Sequence, residues 1–203
     1  MKIRKIPYFS QWANPEFTHA IVSGADPCAD PRWPETGFSD ADEYRFWGRR
    51  ICGLACLQSI LDYYGIPYIS RKALLISAIE AGAYRLRNDG GVDGLIYAPF
   101  LQMLEQKFKL KGKVLQGMTS AEIPAVLPED GFIIWSVSSE IRYPNDDNYR
   151  KGGHLVLIHS AMEHSCVFHN PSGVAPYQMD AKLELNSMER FSSNRGMLIE
   201  RDR

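Results

Sequence analysis

The hydrophobic pattern of this chain changes its period near Gly131, and this change most restricts the fold. Upstream of it, apolar residues such as Leu54, Leu57 and Ile60 recur at helical spacing, which is typical of an amphipathic helix. Downstream, the run Phe132–Val137 is continuous and apolar, as in a buried strand. Helices followed by strands with hairpin-length links predict an α+β fold, with N-terminal helices packed on a largely antiparallel sheet.

Capping and breaking residues mark the ends of the individual elements. Gly65-Ile66-Pro67 is a helix stop, and Ser70 is a helix N-cap. Residues 13–38 are rich in Pro, Gly and Asp and predict a long irregular connection, a kind of loop that tends to be functional or partly structured. The predicted helices are Ser39 to Gly48, Cys52 to before Gly65, Ser70 to Ala81, Leu95 to Lys109 and Ser120 to Leu127. The predicted strands are 3–10, 132–137, 154–159, 166–169 and 196–200.

Length and charge limit the class of protein. The chain has 203 residues, which suits one domain spanning 1–203 and is short for two. Its net charge is -1, and the basic pairs Arg49-Arg50 and Arg150-Lys151 are too short for a nucleic-acid tract. No run approaches the roughly 18 apolar residues of a membrane helix, and the basic start leads into polar Ser10-Gln11 without an apolar signal region. We therefore expect a cytoplasmic protein with no nucleic-acid or membrane partner, its oligomeric state left open.

The four cysteines do not form the pattern of a disulfide scaffold. Cys52 and Cys56 lie on one face of a predicted helix, but a zinc site needs a second pair, which Cys28 and Cys166 do not supply. A redox site is a weaker alternative, because the motif is not Cys-x-x-Cys. We expect no metal and no cofactor.

Histidines recur at intervals of five, at positions 154, 159, 164 and 169. Strand side chains alternate between faces, so an odd interval places His154 and His159 on opposite faces, and His164 falls in or beside a turn. The four rings are not expected to converge on one ion. His159, His164 and His169 are interpreted as structural or exposed.

Cys52 is the candidate nucleophile. It opens a predicted helix, where free backbone N–H groups and the positive end of the helix dipole lower the pKa of a thiol. Gly53 beside it leaves room for a substrate backbone to approach. Cys56, one turn further along, is interpreted as a core residue. Most single cysteines on helices are core residues too, so the assignment of Cys52 depends on its partners.

His154 and Asn170 are those partners. His154 opens one predicted strand after Gly152-Gly153, and Asn170 closes the next, so a hairpin places the start of one beside the end of the other. The two positions are symmetric about residue 162, which lies in the predicted turn. An Asn carbonyl that accepts the imidazole N–H would fix its tautomer, as in cysteine hydrolases.

Together these residues resemble the papain-like cysteine peptidase family 39, and especially its stand-alone branch related to the bacteriocin double-glycine leader peptidases. The family has a Gln upstream, then Cys-Gly-x-Ala-x-Leu on a helix that ends in Tyr-Gly, then Gly-His, then Asp or Asn before Pro. This chain has Gln11, Cys52-Gly53-Leu54-Ala55-Cys56-Leu57, Tyr63-Tyr64-Gly65, Gly153-His154 and Asn170-Pro171. The resemblance implies a papain-like fold, Cys52 as nucleophile, His154 as base, Asn170 as orienting group and Gln11 as oxyanion donor.

The chain departs from the family in two places. An insertion at about 13–48 separates Gln11 from the nucleophile helix, and Asn170 replaces the more common Asp. The segment Glu140 to Lys151 is polar, lies just before His154 and is interpreted as a flap. The resemblance implies a thiol hydrolase that cleaves a peptide or another amide through an acyl-enzyme, with a peptide or a small amide or thioester as substrate. An acyltransferase or amide-forming enzyme uses the same first step, and a non-catalytic binding module that retains the fold is the other alternative.

Overall fold

A six-stranded antiparallel sheet organises the molecule. The computed structural model describes residues 4–147 and 150–202. The sheet strands lie in the order β3-β8-β4-β5-β6-β7, and β1 and β2 form a separate two-stranded hairpin. The strands are β1 Arg85–Leu86, β2 Val92–Asp93, β3 Leu110–Gln116, β4 Phe132–Val137, β5 His154–Ala161, β6 Ser165–His169, β7 Ala181–Glu184 and β8 Ser192–Arg201.

Helices precede most of the sheet, as the sequence predicts. The helix that begins at Cys52 ends at Tyr64, and Gly65 follows in the left-handed conformation with φ 65°. The next helix is capped by the side chain of Ser70, which accepts from the backbone N–H of Ala73. The helices are α1 Thr18–Val22, α2 Ala41–Gly48, α3 Cys52–Tyr64, α4 Arg71–Glu80, α5 Tyr97–Phe108, α6 Ile123–Val126 and α7 Leu185–Glu189. Short 3-10 turns lie at Pro15–Phe17, Pro27–Ala29, Trp33–Thr36, Ser120–Glu122 and Ser139–Arg142.

Both faces of the sheet are buried. One face packs against α2 to α5 through residues such as Ile134, Leu155 and Leu157. The other face, which includes Trp135 and Val156, packs against the short helices α6 and α7. A central strand covered on both sides needs no polar alternation, which explains the unbroken apolar run of β4.

Some predicted elements differ from the structure. The strand predicted over 3–10 is wrong, because residues 4–10, the described part of this segment, belong to no strand. Two strands of the six-stranded sheet were not predicted. These are β3, most of whose residues are exposed, and β7, which forms one edge of the sheet. Neither carries the apolar run or clean alternation on which strand prediction depends. Over the described residues, no helix has the length and apolarity needed to cross a membrane.

Candidate active site

Cys52 lies at the first position of α3, half-buried at the wall of a cavity of about 360 Å³. Gln11 and His154 line the same cavity. The space beside Gly53 is occupied by the protein itself, because a Cβ there would stand 2.7 Å from Leu95 and 3.0 Å from Leu155. The expectation that Gly53 leaves room for substrate is therefore wrong. Gly53 instead allows α3 to pack closely on β5.

The sulfur of Cys52 lies near the beginning of β5. The backbone N–H groups of Leu155, the residue after His154, and of Cys52 and Gly53 at the helix start favour its thiolate and act to lower its pKa. Burial nevertheless raises the pKa of the Cys52 thiol above its ordinary value. The prediction of a lowered pKa is wrong, because loss of hydration outweighs the N–H groups of the helix N-terminus. The resting group is a neutral thiol that needs a base.

His154 and Asn170 are in direct contact. Nε2 of His154 lies 2.8 Å from Oδ1 of Asn170, and both side chains are buried. Gly152 and Gly153, with φ of 73° and 89°, turn the chain into β5 through a conformation that other residues rarely adopt. The hairpin between β5 and β6 therefore brings these two side chains together, as its strand order predicts.

The register of this hairpin is not the predicted one. Leu157 pairs with His169 and Ile158 with Phe168, so the strand pairs near the site are not symmetric about residue 162. The ladder then shifts between Ile158 and Ser160, where β5 contains a bulge. Asn170 reaches His154 from the loop after β6 and not from a directly opposite position. A bulge leaves no signature in the hydrophobic pattern, so counting along the chain does not locate it.

The contacts of Asn170 determine the tautomer of His154. Oδ1 of Asn170 also accepts from the backbone N–H of Ser172 at 3.2 Å, so a carbonyl oxygen occupies this position. Nε2 of His154 must then carry the proton, and Nδ1 holds the free lone pair. Burial, together with the charge of Arg142, lowers the pKa of His154 to about 4. The ring is therefore a neutral base at neutral pH.

Gln11 reaches the cavity although the insertion separates it from Cys52. Its Nε2 donates to the carbonyl of Gly48 at 3.0 Å, and its backbone N–H donates to the carbonyl of Pro171 at 2.8 Å. Gly48 ends α2, so the insertion returns the chain to Gln11 immediately before the nucleophile helix. One N–H of the Gln11 amide remains for a ligand in the cavity.

Arg71 fixes the backbone of this segment. Its guanidinium is buried and donates to the carbonyls of Gln11 at 2.9 Å and Trp12 at 3.1 Å. Nε donates to Oε1 of Gln58 at 2.6 Å, which joins α4 to α3 behind the site. Burial lowers the pKa of Arg71 to about 10, so the group stays charged at neutral pH. A single arginine at the start of a helix gives no sequence signal for this role.

Arg142 and Ser172 are site residues that the sequence analysis did not identify. Ser172 Oγ lies 3.2 Å from Nε2 of His154, and Arg142 donates to both the carbonyl and Oγ of Ser172 at 2.6 Å. Arg142 also lines the cavity and belongs to the segment interpreted as a flap, of which residues 140–147 and 150–151 are described. The run Asn170-Pro171-Ser172 could have indicated Ser172, because it places a hydroxyl two residues after the predicted partner of His154.

A second group of polar residues lies further along β5 and at the end of β6, where Leu157 pairs with His169. His159, His169 and Asp180 place their ligand atoms within 4.8 Å of one another, a spacing that suits a metal ion. However, Nδ1 of His169 already accepts from the backbone N–H of Asp180, and Arg4 brings a positive charge to the carbonyl of His159. These contacts oppose a cation. His164 is exposed at the turn.

Two solved structures are similar to this chain. The peptidase domain of Streptococcus ComA, a bi-functional ABC transporter involved in a quorum-sensing pathway, has a TM-score of 0.50 at 12% identity and covers 75% of this chain and 93% of that domain. A double-glycine motif protease from an AMS/PCAT transporter, solved in complex with the leader peptide, has a TM-score of 0.47 at 14% identity, over 74% of this chain and 84% of that one. No protein-family model and no curated protein matches the chain. The protein therefore has an α+β fold, with N-terminal helices and an antiparallel sheet, similar to that of the ComA peptidase domain.

Proposed function

We propose that this protein is a thiol hydrolase that cleaves a peptide or another amide bond through an acyl-enzyme on Cys52. The contact that carries the proposal is the 2.8 Å hydrogen bond from His154 Nε2 to Asn170 Oδ1. It leaves Nδ1 of His154 as a base in a cavity that also contains the Cys52 thiol. A histidine that is buried for structural reasons alone has no need of an oriented lone pair beside a thiol.

The first half of the reaction forms the thioester. Nδ1 of His154 accepts the thiol proton while the Cys52 sulfur bonds to the substrate carbonyl carbon, and the carbonyl electron pair moves to oxygen. We assign the binding of that oxygen to Gln11 Nε2–H and to the backbone N–H of Cys52, which has no partner within a helix at this position. The tetrahedral adduct then collapses: the C–N bond breaks, and the amine leaves with the proton from Nδ1.

The second half regenerates the thiol. His154 takes a proton from water, the resulting hydroxide adds to the thioester carbonyl, and the C–S bond breaks. The sulfur leaves with the proton that Nδ1 holds, and the carboxylic acid is released. An amine in the place of water gives acyl transfer by the same steps, so the two outcomes differ only in the acceptor.

Acylation by p-nitrophenyl acetate tests this proposal without knowledge of the substrate. We expect a burst of one p-nitrophenol per chain at pH 7, with an acetyl group on Cys52 detected by peptide mass spectrometry. Cys52→Ala abolishes the burst, whereas Cys28→Ala, which removes another half-buried thiol, leaves it unchanged. A burst that survives Cys52→Ala, or acetyl groups spread equally over all the cysteines, would refute the proposal.

A further inference from the structure

The cavity beside Cys52 is strongly basic, although the chain as a whole is not. Among the residues that the structure describes, four arginines and no Asp or Glu line it. The net charge of the chain is -1, so this positive charge results from folding and not from composition. The lining arginines are Arg49, Arg50, Arg142 and Arg195.

None of the four forms an ion pair with a carboxylate in the described part of the chain. Arg50 lies over the ring of Phe46 at 4.1 Å, and Arg195 lies 5.8 Å from the ring of Tyr97. Other arginines of this protein do pair with acids; Arg45, for example, lies 2.8 Å from Asp26. Four unpaired positive charges around one cavity repel one another, and the repulsion is relieved only when an anion enters.

Arg142 is the member of this group that lies next to the reacting groups. It is half-buried, and its two hydrogen bonds to Ser172 use two of its five N–H groups. Its remaining N–H groups have no hydrogen-bond partner among the residues described. Ser172 in turn contacts Nε2 of His154, and Arg142 itself lines the cavity that contains Cys52, so its remaining N–H groups are close to the reacting groups.

We propose that the cavity selects substrates that carry a carboxylate near the bond that Cys52 attacks, and that Arg142 binds this carboxylate. The inference rests on the proposed thiol chemistry and adds a substrate class to it. A guanidinium offers a planar pair of N–H donors that matches a carboxylate, and such charge-assisted bonds are the stronger class of hydrogen bond. The carboxylate is either the terminal group of a peptide or an acidic side chain.

Alkylation of Cys52 by two reagents of nearly equal size tests the charge preference. Iodoacetate carries a carboxylate and iodoacetamide a neutral amide, so the ratio of their rates at Cys52 measures the effect of charge. We expect iodoacetate to react about tenfold faster than iodoacetamide, as one charge-assisted hydrogen bond allows. Free cysteine in the same buffer gives the reference ratio. In Arg142→Met the ratio falls to that reference, whereas Arg150→Met, on the same segment and paired with Glu140, retains it.

Competition then distinguishes the two sources of the carboxylate. Acetyl-glycine supplies a terminal carboxylate and acetyl-aspartate amide a side-chain carboxylate, and acetyl-glycinamide is the neutral control. We expect at least one acid, but not the neutral amide, to slow iodoacetamide labelling of Cys52 in the protein with Arg142 intact. A wild-type ratio equal to that of free cysteine would overturn the proposal, as would a high ratio that survives Arg142→Met. The ratio can be measured even when both rates are slow, so failure of the acetate burst and failure of the charge preference are separate results.

Discussion

The hairpin of β5 and β6 carries three buried histidines in two different surroundings. At the beginning of β5, His154 donates through Nε2 to Asn170 and keeps Nδ1 free in the cavity that contains Cys52. At the end of β6, both nitrogens of His169 are already used, because Nε2 donates to the carbonyl of Ile6 at 3.0 Å and Nδ1 accepts from Asp180 at 3.1 Å. His159 packs on that ring with centroids 4.7 Å apart.

Neither burial nor cavity size distinguishes His154, the candidate base, from His159, which is interpreted as structural. Burial lowers the pKa of His154 to about 4 and that of His159 to about 3, so both rings are neutral at pH 7. The cavity beside His159 is also the larger, at about 820 Å³ against 360 Å³. Its described lining contains Arg4 and Lys5 but no cysteine. The difference is that the cavity at His154 also contains the thiol of Cys52, and that Nε2 of His154 is held by Asn170.

Replacement of each histidine by glutamine is expected to produce the largest contrast. His154→Gln should slow the acetate burst by about a thousandfold, since a positioned general base contributes 10²–10⁴. His159→Gln should leave the burst rate of the folded protein within about twofold, because a substitution away from the site affects stability more than chemistry. The burst rate per folded molecule is measured after circular dichroism confirms the fold. Equal losses of burst rate in the two variants would show that His154 and His159 do not differ in role.

Acid should destabilise the folded protein through both His154 and His159. The folded pKa of His154 and His159 lies below the ordinary 6.5, so the unfolded chain binds more protons as the pH falls below that value. Stability is complete above pH 6.5 and is lost as the pH falls toward 4, at about 1.4 kcal/mol per pH unit for each buried histidine. Urea unfolding at pH 7, 6 and 5 measures this slope. His164→Gln, at a side chain 79% exposed, is the control and should not change it. A free energy of unfolding that is flat between pH 7 and 5 contradicts the prediction.

Asn170→Asp should distinguish His154 from His159 by a smaller change in the pH dependence of the burst rate. A carboxylate beside Nε2 favours the charged imidazolium and raises the pKa of His154, so the acid limb of the burst rate should move up by about one pH unit. At pH 7 the rate should stay within about threefold of the wild type, since most of the imidazole remains neutral. The burst rate between pH 4 and 8 gives the limb directly. An unchanged limb would mean that residue 170 does not control the protonation of His154.

The sequence predicts the parts of this site that depend on local rules. The beginning of α3 at Cys52 and its end before Gly65 follow from periodicity and a helix stop, and the contact of His154 with Asn170 follows from the order of the strands. The predicted hairpin register was wrong because the turn is centred beyond residue 162, as the pairs of Ser160 with Val167 and of Ala161 with Cys166 show. The lowered thiol pKa was wrong because the degree of burial at a helix start is a tertiary property. Arg142 was missed for the same reason. Its position beside His154 depends on a turn that packs against the loop after β6, which no local pattern encodes.

His154 and His159 each have a serine neighbour, and substitution of these two serines gives the smallest expected effect. Ser172 Oγ lies 3.2 Å from His154 Nε2 and accepts from Arg142, whereas Ser160 Oγ lies 3.4 Å from His159 Nδ1. Ser172→Ala should slow the burst by about three- to tenfold, because one neutral hydrogen bond contributes about 1 kcal/mol to the position of the ring.

Ser160→Ala removes the equivalent contact to His159 and should leave the burst rate unchanged. Since the two serines are both buried, the pair compares losses of similar size in similar surroundings. If Ser172→Ala also lowers the ratio of iodoacetate to iodoacetamide labelling, then the hydroxyl acts through Arg142 as well as through His154. An equal slowing of the burst by both substitutions would show that general loosening of the hairpin, and not the hydrogen bond at His154, controls the reactivity of Cys52.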